Sequence, residues 1–314
     1  MTVITAKQQI SRARSHPLLR RMWRARYLYM LILPTLVFFL IFSYIPYYGL
    51  TIAFRQFKIF LGINASPWVG LKYFREFFSS SDFVRLLRNT VLISIMRIAF
   101  GFPVPIIFAL LLNEVRHTWY KRTVQTITYF PNFLSWVVYA GIMLVFIAPS
   151  GVVNQLSKVW GGGTIPILTS GKLFLPMLIL TDIMKGFGFG AIIYLAALSS
   201  IDPQLYEAAV VDGANRWQQT LYITLPGIRS TMVVVLILAL GGLMNAGFDQ
   251  IFQFYNAAVR EVADIIDTFV YRIGLQSSQF SLGTAVGLFK SVIGLILIYT
   301  SNSIVRRTGE YSIW

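Results

Sequence analysis

Long apolar runs separated by short, mostly basic stretches set the pattern of this chain. The run from Tyr27 to Tyr48 is too long for the core of a signal peptide and lacks a small-residue cleavage site. It therefore predicts an uncleaved first span, with Pro34 and Pro46 near its ends. Further runs at about 90–112, 124–148, 173–198, 230–250 and 281–305 are each long enough to cross a bilayer. Between the first two runs, residues 49–89 form a polar, aromatic loop ending in an amphipathic stretch, Leu71 to Leu87. The pattern predicts an all-α polytopic membrane protein with six transmembrane helices within residues 27–310.

Charge orients these runs. Residues 1–26 carry Lys7, Arg12, Arg14, Arg20, Arg21, Arg24 and Arg26 without one acidic residue, and an all-basic tail before a span reads as cytoplasmic. Glu114, Arg116, Lys121 and Arg122 occupy the short loop after the second run, and Arg306 and Arg307 precede the tail at 311–314. With six spans these segments and the loop 199–229 all face inward, and both termini are cytoplasmic. The first external loop opposes this bias, because it carries Arg55, Lys58, Lys72, Arg75, Arg85 and Arg88.

Composition supports the membrane class. The chain has 314 residues, 56% hydrophobic and only 12% charged, about half the charge of a typical soluble domain. The net charge of +15 belongs mainly to loops that orient the spans, so nucleic acid is not an expected partner and lipid is. Cysteine is absent, and His16 and His117 lie far apart, so no metal site is expected.

One polar loop is organised more tightly than the rest. Asp202 suits a helix N-cap with Pro203 at the first helical position. Glu207, Ala208 and Ala209 favour helix, and Gly213 suits the left-handed end. A second short helix, about Asn215 to Thr224, would then stop at Pro226. Glu207-Ala208-Ala209, three residues, Gly213, nine residues and Ile223-Thr224-Leu225-Pro226 together resemble the EAA signature. That signature belongs to permease subunits of bacterial binding-protein-dependent ABC importers. Trp68-Val69-Gly70-Leu71-Lys72-Tyr73-Phe74 and Asn89-Thr90 look like the lead-in to the permease core of the sugar-importing branch.

The resemblance implies a type I importer permease in the cytoplasmic (inner) membrane of a bacterium. It implies that loop 199–229, with Glu207, Ala208, Ala209, Asp212, Gly213, Leu225 and Pro226, forms the coupling helix that docks on a cytoplasmic ATPase subunit. The implied partners are a second homologous permease, two ATPase subunits that carry ATP and Mg, and an extracytoplasmic solute-binding protein. This chain itself would bind no cofactor and catalyse no reaction. Gly161-Gly162-Gly163, Lys185-Gly186-Phe187-Gly188-Phe189-Gly190 and Gly171-Lys172 match no nucleotide-binding loop, which agrees with ATP being hydrolysed elsewhere. An ion-coupled secondary transporter would need no EAA loop, and no internal repeat is visible. A membrane enzyme would need a paired catalytic constellation, and none is apparent.

Polar residues inside spans invite a function because they are costly there. Arg97 lies in the second run, Asp182 and Lys185 in the fourth, Asn245 and Asp249 late in the fifth, and Lys290 in the sixth. Asp182 and Lys185, three apart, could pair on one helix face. Arg97 and Lys290 have no sequence-local partner and are candidates to line a cavity. Trp136 and Tyr139, with Tyr129, Phe133, Phe248, Phe252 and Tyr255, are either interface anchors or platforms for sugar rings. Asn245, Asp249, Gln250 and Gln253 could bond sugar hydroxyls. The small residues Gly283, Gly287 and Ser291 suit close helix packing. With Asp182 and Asp249 the evident anions, the spans carry surplus positive charge. That surplus favours an acidic oligosaccharide of alginate or pectin type; the alternative is a neutral sugar with anions supplied by the partner permease.

Overall fold

The computed structural model describes residues 23–307. Most of the basic tail read at 1–26, and all of 311–314, lie outside the described residues. Among those described the chain is helical with no extended sheet. Isolated bridges Arg55–Trp68 and Lys58–Gly62 pin the loop after the first helix.

Helix α1, Arg26–Phe54, runs through Pro34 and Pro46 rather than breaking near them. It widens at Leu40–Tyr44 and tightens from Ile45, local rewindings that accommodate prolines lacking an N–H. No residue of Arg26–Phe39 is buried within the chain; only the later half packs on the body, against the last helix. The stretch read as one amphipathic segment, Leu71 to Leu87, is divided. Its first part is α2, Lys72–Phe78, and after Ser79–Ser81 its second part runs directly into the next span. Helix α3 is accordingly Asp82–Asn113, beginning ahead of residue 90, with a wide turn at Arg97–Gly101 before Pro103 and Pro105.

The third run is not one helix. Helix α4, Thr118–Phe133, ends in extended backbone at Leu134, and Ser135 caps α5, Trp136–Ile147, by accepting from the Val138 amide at 3.3 Å. After a short turn, α6 covers Val152–Val159. Helix α7, Gly171–Ser199, is the central span and packs along α3 and α4. A side chain at Gly188 would overlap the Thr128 backbone, so α7 and α4 approach backbone to backbone there.

The polar loop folds into α8, Pro203–Val211, and α9, Arg216–Gly227. Pro226 does not stop the second of these. The hydrogen-bond ladder is already rewound at Thr220–Thr224, so the proline fits, and the chain bends by 59° only between Gly227 and Arg229. Helix α10, Arg229–Gly241, has 13 residues and rises about 20 Å, short of the ~30 Å hydrocarbon core. The fifth run, 230–250, is thus broken: residues 242–247 are non-helical and α11, Phe248–Phe254, follows. Helix α12, Ile266–Phe269, leads through a wide turn to α13, Phe280–Arg307. Gly283 of α13 lies against Gly274, where an added Cβ would sit 2.8 Å from the Gly274 Cα; Gly287 meets open space. Among the described residues, five helices are long and apolar enough to cross a membrane, or six if the bent α9–α10 pair is one span.

Three apolar clusters fix this arrangement. Ile93, Ala140, Phe174, Leu178 and Ile251 join α3, α5, α7 and α11. Phe77, Leu86, Ile266, Phe269 and Val286 join α2, α3, α12 and α13. Ile106, Ala109, Ala191, Tyr194 and Ile228 hold α3 and α7 to the start of α10.

Candidate functional site

The broken fifth run opens a cavity of about 380 Å³ between α3, α7 and α10. Irregular backbone at membrane depth is tolerated where protein buries it or a watered cavity adjoins it, and residues 242–247 meet that condition. The cavity walls bring together Arg97, Asp182 and Asn245, joined by Ser94 and the aromatic Phe187 and Tyr194.

Arg97 stands on the wide turn of α3. One terminal nitrogen lies 3.5 Å from Asp182 Oδ1 of α7 and donates to Gln250 Oε1 of α11. Gln250 is fully buried, and its amide nitrogen donates to the Leu178 carbonyl at 2.7 Å and to Thr181 Oγ1 at 2.8 Å. The reading of Gln250 as a sugar ligand is therefore corrected: its donors are consumed inside the protein and it aims the guanidinium. Gly247, at φ +84°, lies directly on that guanidinium, which a Cβ there would overlap. Neither contact was legible in sequence, because residues 97 and 250 are far apart in the chain.

The other intramembrane cations are accounted for differently. Lys290, read as cavity-lining for want of a partner, donates to both carboxylate oxygens of Asp267 at 2.6 and 2.7 Å. Its partner lies in α12, which was not read as an element. Lys185 does not take Asp182 as its ion pair. It is buried, and its ammonium donates to the Asn132 carbonyl at 3.0 Å while sitting 5.2 Å from the Trp136 ring. It thereby satisfies an acceptor at the end of α4 and stabilises the break between α4 and α5. The surplus of positive charge inferred from sequence shrinks, because Asp267, which that count left out, pairs with Lys290.

Trp136 and Tyr139 meet edge to face at 5.7 Å, and Tyr139 is buried. Neither lines the cavity. Asp249 and Gln253 of α11 are not among its lining residues either, and Phe248 and Phe252 stack on each other and against Tyr271.

A second arrangement surrounds the elbow between α8 and α9. The Asp202 side chain accepts from the Gln204 amide at 2.9 Å, with Pro203 opening the helix, as its composition predicts. At the other end the Ala214 amide donates to the Ala209 carbonyl at 2.8 Å and the Gly213 amide to Val210 at 3.1 Å. Gly213 adopts φ +78°. This is the paired C-cap that a glycine at the left-handed position permits. Asn215 and Gln218 then close a reciprocal capping box, at 2.9 and 2.8 Å. Tyr206 and Thr224 hydroxyls meet at 3.0 Å and tie the two short helices together. Glu207 lines a cleft of about 590 Å³ with Glu114, Arg116 and Arg216. Glu207, Ala208, Asp212 and Gly213 are exposed, as are the apolar Val211 and Trp217; Leu225 is half-buried and Pro226 exposed.

Outside the spans, a charge cluster holds the chain between α11 and α13. Asp264 is fully buried and receives both Arg272 terminal nitrogens at 3.0 and 2.9 Å and the Thr268 hydroxyl at 2.8 Å. Arg85 of α3 approaches it at 3.5 Å. Its hydrogen bonds to Asp264 hold the Arg272 guanidinium above its ordinary pKa. Asn89 adds donors to the Glu261 and Asp264 carbonyls. The sequence reading found Asn89 only as part of a family-like dipeptide and did not single out Asp264.

Comparison with known proteins follows the same lines. The family model for binding-protein-dependent transport system inner membrane components matches residues 101–309. Protein LplB of Bacillus subtilis (strain 168) is 46% identical over 288 residues, covering 91% of this chain and 91% of its own. The polygalacturonan/rhamnogalacturonan transport system permease protein YteP of the same organism is 45% identical over 298 residues, 95% and 93% of the two chains. Among solved structures, a bacterial ABC transporter involved in import of the acidic polysaccharide alginate superposes with a TM-score of 0.86 at 42% identity. That match covers 92% of this chain and 98% of the other. A bacterial alginate ABC transporter in complex with an alginate pentasaccharide-bound periplasmic protein gives 0.87 at 40% identity, over 94% and 99%. A helical body with apolar helices long enough to cross a membrane, a family match over most of the chain and relatives above 40% identity along nearly its whole length lead to one assignment: the chain belongs to the binding-protein-dependent transport system inner membrane components, the permeases of bacterial ABC transporters.

Proposed function

We propose that this subunit translocates uronate-containing oligosaccharides through the cavity at Arg97, driven by ATP hydrolysed on partner subunits. The carrying observation is the Arg97 guanidinium in a cavity wall that also presents Asn245, Ser94 and aromatic rings. A cation meets sugar carboxylates, amides and hydroxyls meet sugar hydroxyls, and aromatic faces meet the apolar faces of rings. The relatives named for polygalacturonan and for alginate support the acidic class. In this reading a second, similar permease completes the path and an extracytoplasmic binding protein delivers the substrate. The exposed elbow, Glu207 through Gly213 with Leu225 and Pro226, docks on an ATPase subunit and transmits its closure. The neutralisation of Arg97 by Asp182 favours the second reading, a neutral oligosaccharide.

Uptake by the assembled transporter in proteoliposomes separates the two. Uronate oligosaccharides should be taken up in an ATP-dependent way and in preference to neutral ones of equal length; transport confined to neutral sugars defeats the acidic assignment.

The orientation of the spans is part of the same proposal. A reporter fused after Ser200 should read cytoplasmic, and a membrane-impermeant thiol label should reach Ser79→Cys from outside. Ser79 is exposed, whereas Ser66, in the same loop, is 2% exposed and bonded to the Gly62 carbonyl and the Lys58 amide. Labelling of Ser79→Cys only from the cytoplasmic side would overturn the orientation.

A further inference from the structure

We propose that Asp182 is a displaceable counter-ion: it neutralises Arg97 while the cavity is empty and yields the guanidinium to a sugar carboxylate during passage. This deepens the acidic-substrate reading above and rests on it.

Three observations carry the inference. The first is a contrast in geometry among the ion pairs. Lys290 meets both oxygens of Asp267 at 2.6 and 2.7 Å, and Arg272 meets both oxygens of Asp264 at 3.0 and 2.9 Å. Charge-assisted hydrogen bonds of that length are the strong ones. Arg97 and Asp182 share a single approach of 3.5 Å, a Coulombic contact without a two-pronged bond. Of these three pairs, only the loose one lines the cavity.

The second observation is the division of holding forces around the guanidinium. On one side it is fixed by Gln250, itself locked to Leu178 and Thr181, and by the bare backbone of Gly247. These partners are neutral, so they set the position of the cation without cancelling its charge. The carboxylate that cancels it comes from α7 alone, and it is the more exposed partner, 30% against 16% for Arg97. A side chain that already meets the cavity can turn away more readily than one wedged against Gly247.

The third observation is unused bonding capacity at the same wall. Arg97 Nε and Ser94 Oγ are buried without a hydrogen-bond partner. Buried donors of this kind carry a desolvation penalty unless something meets them. Lys185, one turn along α7 from Asp182, adds a second positive charge on the same helix face, although its ammonium is held by the Asn132 carbonyl. The exchange moves no proton and breaks no covalent bond. For a neutral sugar no carboxylate competes, the Arg97–Asp182 pair stays closed, and passage is disfavoured.

The test uses the complete transporter in proteoliposomes, with a labelled uronate oligosaccharide and a neutral one of equal length. Arg97→Gln should raise the KM for the uronate about tenfold or more, while the neutral sugar, no longer held back by a closed pair, is taken up at least as well as by wild type. Asp182→Asn, which removes the competing anion, should lower the KM for the uronate below wild type. The double variant Arg97→Gln/Asp182→Asn carries no charge at the site, so it guards against a fold lost to an unpaired cation. It should assemble and accept both sugars without preference. Equal losses of both sugars in the two single variants, with recovery of wild-type uronate preference in the double, would show a purely structural pair and overturn the proposal. A wild-type complex that carries only neutral sugar would instead defeat the functional reading on which this one rests.

Discussion

Gly213→Val should leave the transporter assembled while uptake per ATP hydrolysed falls about tenfold. The left-handed conformation costs an L-residue on the order of 1–2 kcal/mol, most for a β-branched side chain, and 1.4 kcal/mol corresponds to a factor of ten. Gly213 holds φ +78°, and nothing lies within 4 Å of the space a Cβ would fill. The penalty is therefore in the backbone and not in a clash. Valine would be driven to another backbone conformation, and the paired bonds from Ala214 and Gly213 back to Ala209 and Val210 would be lost. The angle between α8 and α9 then changes at the surface proposed to meet the ATPase. Gly213→Asn, which tolerates the left-handed region, should retain most of the coupling. Substrate-stimulated ATPase activity compared with uptake in proteoliposomes measures the effect. Unchanged uptake per ATP in the valine variant would show that the elbow does not transmit the stroke.

Asp264→Ala should be strongly destabilising. It strands Arg272, while Arg85 keeps Asp82 at 2.6 Å and Glu261 at 3.7 Å. Removing one partner of a buried ion pair costs about 3–5 kcal/mol. The local damage would extend to Thr268, whose hydroxyl donates to Asp264 and accepts from the Ile265 amide. It would extend equally to the loop that Asn89 binds through the Glu261 and Asp264 carbonyls. In detergent the apparent Tm should drop on the order of 10 °C. Asp264→Asn, which keeps the shape and an acceptor, should fall by less. A Tm within a degree of wild type for Asp264→Ala would show that the cluster is dispensable.

The helical class, the first, fourth and sixth runs and the α8–α9 elbow were legible because their signals are local. Apolar length announces a span, and Asp202, Pro203, Gly213 and Asn215 each act on bonds within a few residues. The broken runs were read as continuous, since apolar residues resume beyond each break and outweigh the Pro131, Asn132, Ser135, Gly242, Asn245 and Gly247 that mark them. What ends α4 is a cap at Ser135 together with an ammonium arriving from Lys185, more than fifty residues away in the chain. What interrupts the fifth run is a left-handed Gly247 seated on Arg97. The polar residues fared likewise. Arg97, Asp182 and Asn245 line one cavity, whereas Lys290, expected there with Arg97, does not. The partners that decide their roles, Gln250 and Asp267, became visible only once distant elements were brought together. Counting charges along the spans missed Asp267, which pairs with Lys290 from outside them.

The short α10 has a mechanical consequence for the surrounding lipid. Helices α3, α7 and α13 have 32, 29 and 28 residues, and at 1.5 Å per residue they extend about 42–48 Å. Helix α10, at about 20 Å, stands beside them with its apolar stretch shorter than an average hydrocarbon layer. Long helices accommodate a bilayer by tilting, short ones by thinning it, at a fraction of a kcal/mol per ångström of mismatch. The two demands coincide at the wall that carries Asn245 and faces Arg97 and Asp182. Acyl-chain length should thus act on this transporter as a mechanical load, with thicker membranes straining the broken segment and thinner ones relieving it.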